Sequence, residues 1–60
     1  MTKEDNLLLA ENLRREIHKL RKKGYTYKIF CSVVSYSSTQ FYNFMKGYGM
    51  RDENLLLLKS

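Results

Sequence analysis

Residues 25–47 read YTYKIFCSVVSYSSTQFYNFMKG, and the placing of the large apolar side chains among the small polar ones decides the fold. Phe30, Cys31 and Val34 recur at helical spacing, and Phe41 and Phe44 do so again after an interruption at Ser35, Tyr36 and Ser37. Thr26 and Ser37 stand where N-caps are needed, since a hydroxyl there accepts from the otherwise unbonded first-turn N–H groups. The pattern predicts one helix over Tyr27–Val34 and another over Ser38–Lys46, the second stopped by Gly47. β-branched Val33 and Val34 lower the intrinsic helicity of the first, so packing must hold it. Ser38, Thr39, Gln40, Tyr42 and Asn43 are left on an exposed face of the second. A braced helix followed by a tight polar turn and a presented helix is the arrangement of a helix-turn-helix.

N-terminal to this unit, Leu9, Leu13, Ile17 and Leu20 fall at three- and four-residue steps, the mark of an amphipathic helix. Leu8 and Ala10 broaden its expected apolar edge. Thr2 with Asp5 resembles a capping box with Asp in place of Glu. Arg21, Lys22 and Lys23 suit the negative end of the helix dipole, and Gly24 supplies a left-handed cap. On the C-terminal side, Gly47 and Gly49 punctuate a loop and Asp52 reads as the N-cap of a fourth helix containing Leu55, Leu56, Leu57 and Leu58. Four consecutive leucines cover every side of a helix and select no face. Lys59 and Ser60 follow the run without a stop signal, so the expectation is that more of this helix, or a further domain, follows. The fold class expected is all-α: one compact bundle of four or five short helices, residues 1–60 forming a single domain.

A chain of 60 residues buries only about 60% of its unfolded surface and needs unusually good packing, a metal, a disulfide or a partner. One cysteine excludes an internal disulfide, and no Cys/His spacing suits zinc, so no metal and no cofactor is expected. No phosphate-cradling glycine motif is present. His18 is the single histidine, without an acid or nucleophile at a matching spacing, and Cys31 stands at a core position; the chain is not expected to be an enzyme. No apolar run is long enough for a bilayer and no signal-peptide pattern follows Met1, which points to a cytoplasmic protein and to no membrane.

The formal charge is +5, from 11 Lys and Arg against 6 Asp and Glu. Seven of those cations (Arg14, Arg15, Lys19, Arg21, Lys22, Lys23 and Lys28) fall in fifteen residues holding Glu16 as the one anion. A solvated helix face would look the same in isolation. Beside a presented polar helix it is the electrostatic footprint of a nucleic-acid binder.

Residues 26–47 resemble the helix-turn-helix of phage-repressor-like domains, the lambda-repressor or Xre type. In that pattern Thr26 matches the threonine that starts the first helix, Phe30 a leucine, Cys31 the small alanine, Val34 the next leucine and Tyr36 a valine. Ser37 matches the serine capping the second helix, Phe41 and Phe44 two isoleucines, and Gly47 the closing glycine. Ser35 replaces the turn glycine, and Tyr27 a glutamine that often touches DNA. The resemblance implies a transcriptional regulator of phage or mobile-element type that binds a palindromic double-stranded DNA operator as a homodimer and controls its own promoter.

On this reading Ser38, Thr39, Gln40, Tyr42 and Asn43 make base contacts: amides pair with adenine edges, hydroxyls serve bases or phosphates, and a threonine methyl touches thymine. Tyr27, Lys28, Ser37, Lys46, Tyr48 and Arg51 hold phosphates, which position the protein without reading sequence. Tyr25 is expected to pack. Leu56 and Leu57 are expected to divide between the core and a dimer contact. The rival from another class is a protein-binding module, such as an antitoxin or the N-terminal part of an anti-CRISPR protein, with a partner protein engaged through a further C-terminal region. Single-stranded nucleic acid is disfavoured, because stacking platforms are usually built on sheets.

Overall fold

The computed structural model describes residues 1–59, and among these it is all-helical and without strands. Four helices follow one another: α1 over Lys3–Lys22, α2 over Tyr27–Val34, α3 over Ser38–Lys46 and α4 over Asp52–Lys59. The 32 Å long dimension of the molecule is set by α1, since 20 residues at about 1.5 Å each make a rod of roughly 30 Å.

Side-chain caps mark the starts of two of the four helices. Thr2 Oγ1 accepts from Asp5 N–H at 3.1 Å, and Ser37 Oγ accepts from Gln40 N–H at 3.2 Å. Gln40 Oε1 in turn accepts from Ser37 N–H at 2.9 Å, completing a capping box. Thr26 has the extended backbone of an N-cap, but its side chain makes no capping bond, unlike the expectation. Asp52 differs too. It is the first residue of α4 rather than the cap, and its Oδ1 accepts a 2.6 Å bond from Asn6 Nδ2. Arg51 O accepts from Asn54 and Leu55 N–H, both at 3.0 Å, so the helix begins one residue earlier than expected. Asn6 Nδ2 also donates to Met50 O at 2.9 Å, tying the loop before α4 to α1.

The first three helices end alike. Tyr25, Tyr36 and Tyr48 each donate their N–H to the carbonyl five residues back, on Leu20, Cys31 and Asn43. The residue before each tyrosine is left-handed or nearly so: Gly24 at φ 105°, Ser35 at φ 56° and Gly47 at φ 126°. This closure satisfies carbonyls that the last turn would otherwise orphan. Glycine fits it freely; Ser35, the one described non-glycine residue with positive φ, fits at a cost of about 1–2 kcal/mol.

The core collects Ala10, Leu13 and Ile17 from α1, Phe30, Cys31 and Val34 from α2, Phe41 and Phe44 from α3, Met50 from the loop and Leu55 from α4. Phe41 is its centre, fully buried, with Tyr27, Phe30 and Phe44 at ring separations of 5.5, 6.1 and 5.8 Å. Such aromatic pairs contribute roughly 0.5–1.5 kcal/mol each beyond the area they bury. Leu9, Leu20, Tyr36, Met45 and Leu58 pack around this set. Three expectations change. Leu8 is exposed and adds nothing to the apolar edge of α1, and Tyr25 is nearly half exposed instead of packed. Leu56 and Leu57 are both half exposed, so neither is core; Leu55 and Leu58 are the residues that α4 turns inward. Main-chain geometry explains this, since residues three apart share a face and adjacent ones do not.

Candidate functional site

With Phe41 and Phe44 buried at 0% and 1% exposure, the rotational phase of α3 is determined. At about 100° per residue, Thr39, Tyr42, Asn43 and Lys46 lie more than about 120° from the midpoint of the two rings and form the outward stripe. Thr39, Tyr42 and Lys46 are exposed and Asn43 is half-buried. Ser38 and Gln40 are exposed on the flanks. Lys46 Nζ sits 4.5 Å from the centre of the Tyr42 ring, an i,i+4 cation–π pair that spans the outer face.

Gln40 is less free than its type suggests. Its carbonyl oxygen accepts from Ser37 N–H, which turns the amide back toward the helix start and leaves one lone pair and the NH2 group for any base edge. The signal was in the sequence, as Ser37 and Gln40 stand three apart at a helix start. Ser37 is exposed, and its oxygen accepts from Gln40 N–H.

The residues placed on phosphates divide. Lys28, Lys46, Tyr48 and Arg51 are exposed. Tyr27 is half-buried, its ring packed on Phe41 and covered by the Arg21 guanidinium at 4.2 Å. Its ring therefore belongs to the core boundary. No hydrogen bond or ion pair among the described residues ties the side chains of Lys28 or Arg51 to α3.

The basic block is also divided by structure. Arg14 Nε donates to Phe44 O and Arg14 Nη2 to Tyr48 O, both at 2.6 Å, while its guanidinium lies 4.5 Å from the Phe44 ring centre. Arginine is suited to this, since its planar fork can serve two carbonyls and a ring together. Partial burial draws the Arg14 pKa below its ordinary value, and the Glu11 carboxylate opposes the shift. Arg14 thus ends the line Arg21–Tyr27–Phe41–Phe44–Arg14, in which two cations of the block close the ends of the aromatic core. Arg15 pairs with Glu11 at 3.0 Å and Lys19 with Glu16 at 3.4 Å on the surface. Lys22, Lys23 and Lys28 carry no ion pair among the described residues. Nothing local marks Arg14 for its role, because its carbonyl partners are 30 and 34 residues away.

Cys31 is buried with a free thiol. No helix among the described residues is long and apolar enough to cross a membrane. No family model matches the chain, no curated protein matches it, and no solved structure matches it.

Proposed function

We propose that the chain binds duplex DNA, with α2, the turn at residues 35–37 and α3 acting as a helix-turn-helix and α3 entering the major groove. The observation that carries this reading is the outward stripe of α3. Phe41 and Phe44 anchor the helix, and the opposite side offers a hydroxyl, a phenol, an amide and an ammonium within two turns, the side-chain chemistry that reads base edges. The cations of Lys22, Lys23, Lys28, Lys46 and Arg51 add attraction to phosphates. On this reading the protein is a transcriptional regulator of phage or mobile-element type, acting on its own promoter as a two-fold dimer. Leu56, Ile29 and Val33, about half exposed, supply apolar surface for that dimer.

Titrating the protein against a duplex at several salt concentrations tests the proposal. With about five phosphates neutralised, affinity should fall with a log–log slope of roughly −4 to −5. No binding at low salt, or binding indifferent to salt, would overturn it. Sedimentation of the complex reports stoichiometry, and one protein per duplex at saturation would remove the dimer.

A further inference from the structure

We infer that α3 selects A·T base pairs, with Asn43 reading an adenine and Thr39 and Tyr42 lying against thymine methyl groups. The inference rests on the DNA-binding reading above and names the class of site it would take.

In the major groove guanine presents two acceptors, N7 and O6, and is met by a side chain with two donors, most often arginine. The outward stripe of α3 holds no arginine, and its one cation, Lys46, stands in the last turn with its ammonium over the Tyr42 ring at 4.5 Å. Adenine presents an acceptor at N7 beside a donor at N6, and one amide matches both. Two amides stand on α3, but the capping box engages the oxygen of Gln40. Asn43 keeps its amide, on the outward side of the helix, one turn beyond Thr39 and adjacent to Tyr42. Thr39 and Tyr42 bring a methyl and a ring to the same face beside their hydroxyls, and thymine alone among the bases carries a methyl group in this groove. The capping bond ties Gln40 to the helix start and leaves Asn43 as the untethered amide, beside a methyl and a ring that suit thymine.

Selection from a random duplex pool at low salt, followed by titration of modified versions of the selected duplex, tests this. The selected core should be A·T-rich. Replacing its contacted adenine by 7-deazaadenine removes N7, and replacing its thymines by uracil removes the methyl groups. Each change should weaken binding of the wild-type chain about ten-fold, the scale of one good base contact. Asn43→Ala should become indifferent to 7-deazaadenine, and Thr39→Ser and Tyr42→Ala less sensitive to uracil. These duplexes also separate direct reading from a preference for A·T-rich shape, which neither modification abolishes. A G·C-rich core, or wild-type affinity unmoved by both modifications, overturns the inference while DNA binding stands. A pool from which no duplex is retained overturns DNA binding itself. Because the modified duplexes are read with the wild-type chain, failure of a variant to fold leaves the test intact.

Discussion

Replacing Arg14 should destabilise this protein far more than replacing any other member of its basic block. The side chain makes two charge-assisted bonds of 2.6 Å, to Phe44 O and Tyr48 O, and lies 4.5 Å from the Phe44 ring centre. Hydrogen bonds from a charged group contribute roughly 1.5–3 kcal/mol each, and a cation–π contact about 0.5–2. The full sum overstates the loss. The bond to Tyr48 O is exposed, so water can replace it, and Phe44 O retains the Gly47 N–H. About 2–3 kcal/mol is therefore expected for Arg14→Ala, a large part of the roughly 3–9 kcal/mol available to a chain this short. At about 4–8 °C per kcal/mol the melting temperature should fall by roughly 8–24 °C. Arg14→Lys keeps the charge near the ring but cannot span both carbonyls with a rigid fork, so it should recover about half. Circular dichroism during urea and thermal unfolding measures both variants, with a constant urea slope required for the comparison. Arg15→Ala supplies the control, since its pair with Glu11 is exposed and such pairs contribute about 0–1 kcal/mol. Equal melting of Arg14→Ala, Arg15→Ala and wild type would refute the reasoning.

Three further outcomes follow from the packing. Ser35→Gly should raise stability by about 0.5–1 kcal/mol, the relief of a left-handed serine less the added chain entropy of glycine; a lower melting temperature would contradict the turn geometry. Phe41→Ala removes the ring at the centre of three aromatic contacts, at roughly 3–5 kcal/mol, and should leave a chain without dispersed amide resonances, whereas a native-like spectrum would place the ring elsewhere. Leu55→Ala should cost about 2–5 kcal/mol and Leu56→Ala no more than about 0.5, because Leu55 is fully buried and Leu56 half exposed; comparable melting of the two would mean that α4 has another rotational phase.

The sequence by itself determined most of what depends on neighbours along the chain, the missing side-chain cap at Thr26 being the exception. The bounds of α2 and α3, the cap at Ser37, the left-handed position at Gly24, the stop at Gly47, and the inward placing of Phe41 and Phe44 were all legible. Caps, turns and helical periodicity act over four or five residues, and the residues concerned are adjacent in the text. Tertiary structure decided what periodicity leaves open. Leu55 to Leu58 offer an apolar residue on every side of α4, and contact with α1 and α2 is what turned Leu55 inward. Asp52 is not the cap because α4 begins one residue early, with Arg51 O accepting from Asn54 and Leu55 N–H, and its Oδ1 instead meets Asn6, 46 residues away. Arg14 read as one more cation of a basic stretch until the chain folded and set the last carbonyls of α3 beside it. Charge can be counted from composition, but whether a guanidinium faces water or two backbone oxygens depends on which distant segment packs against it.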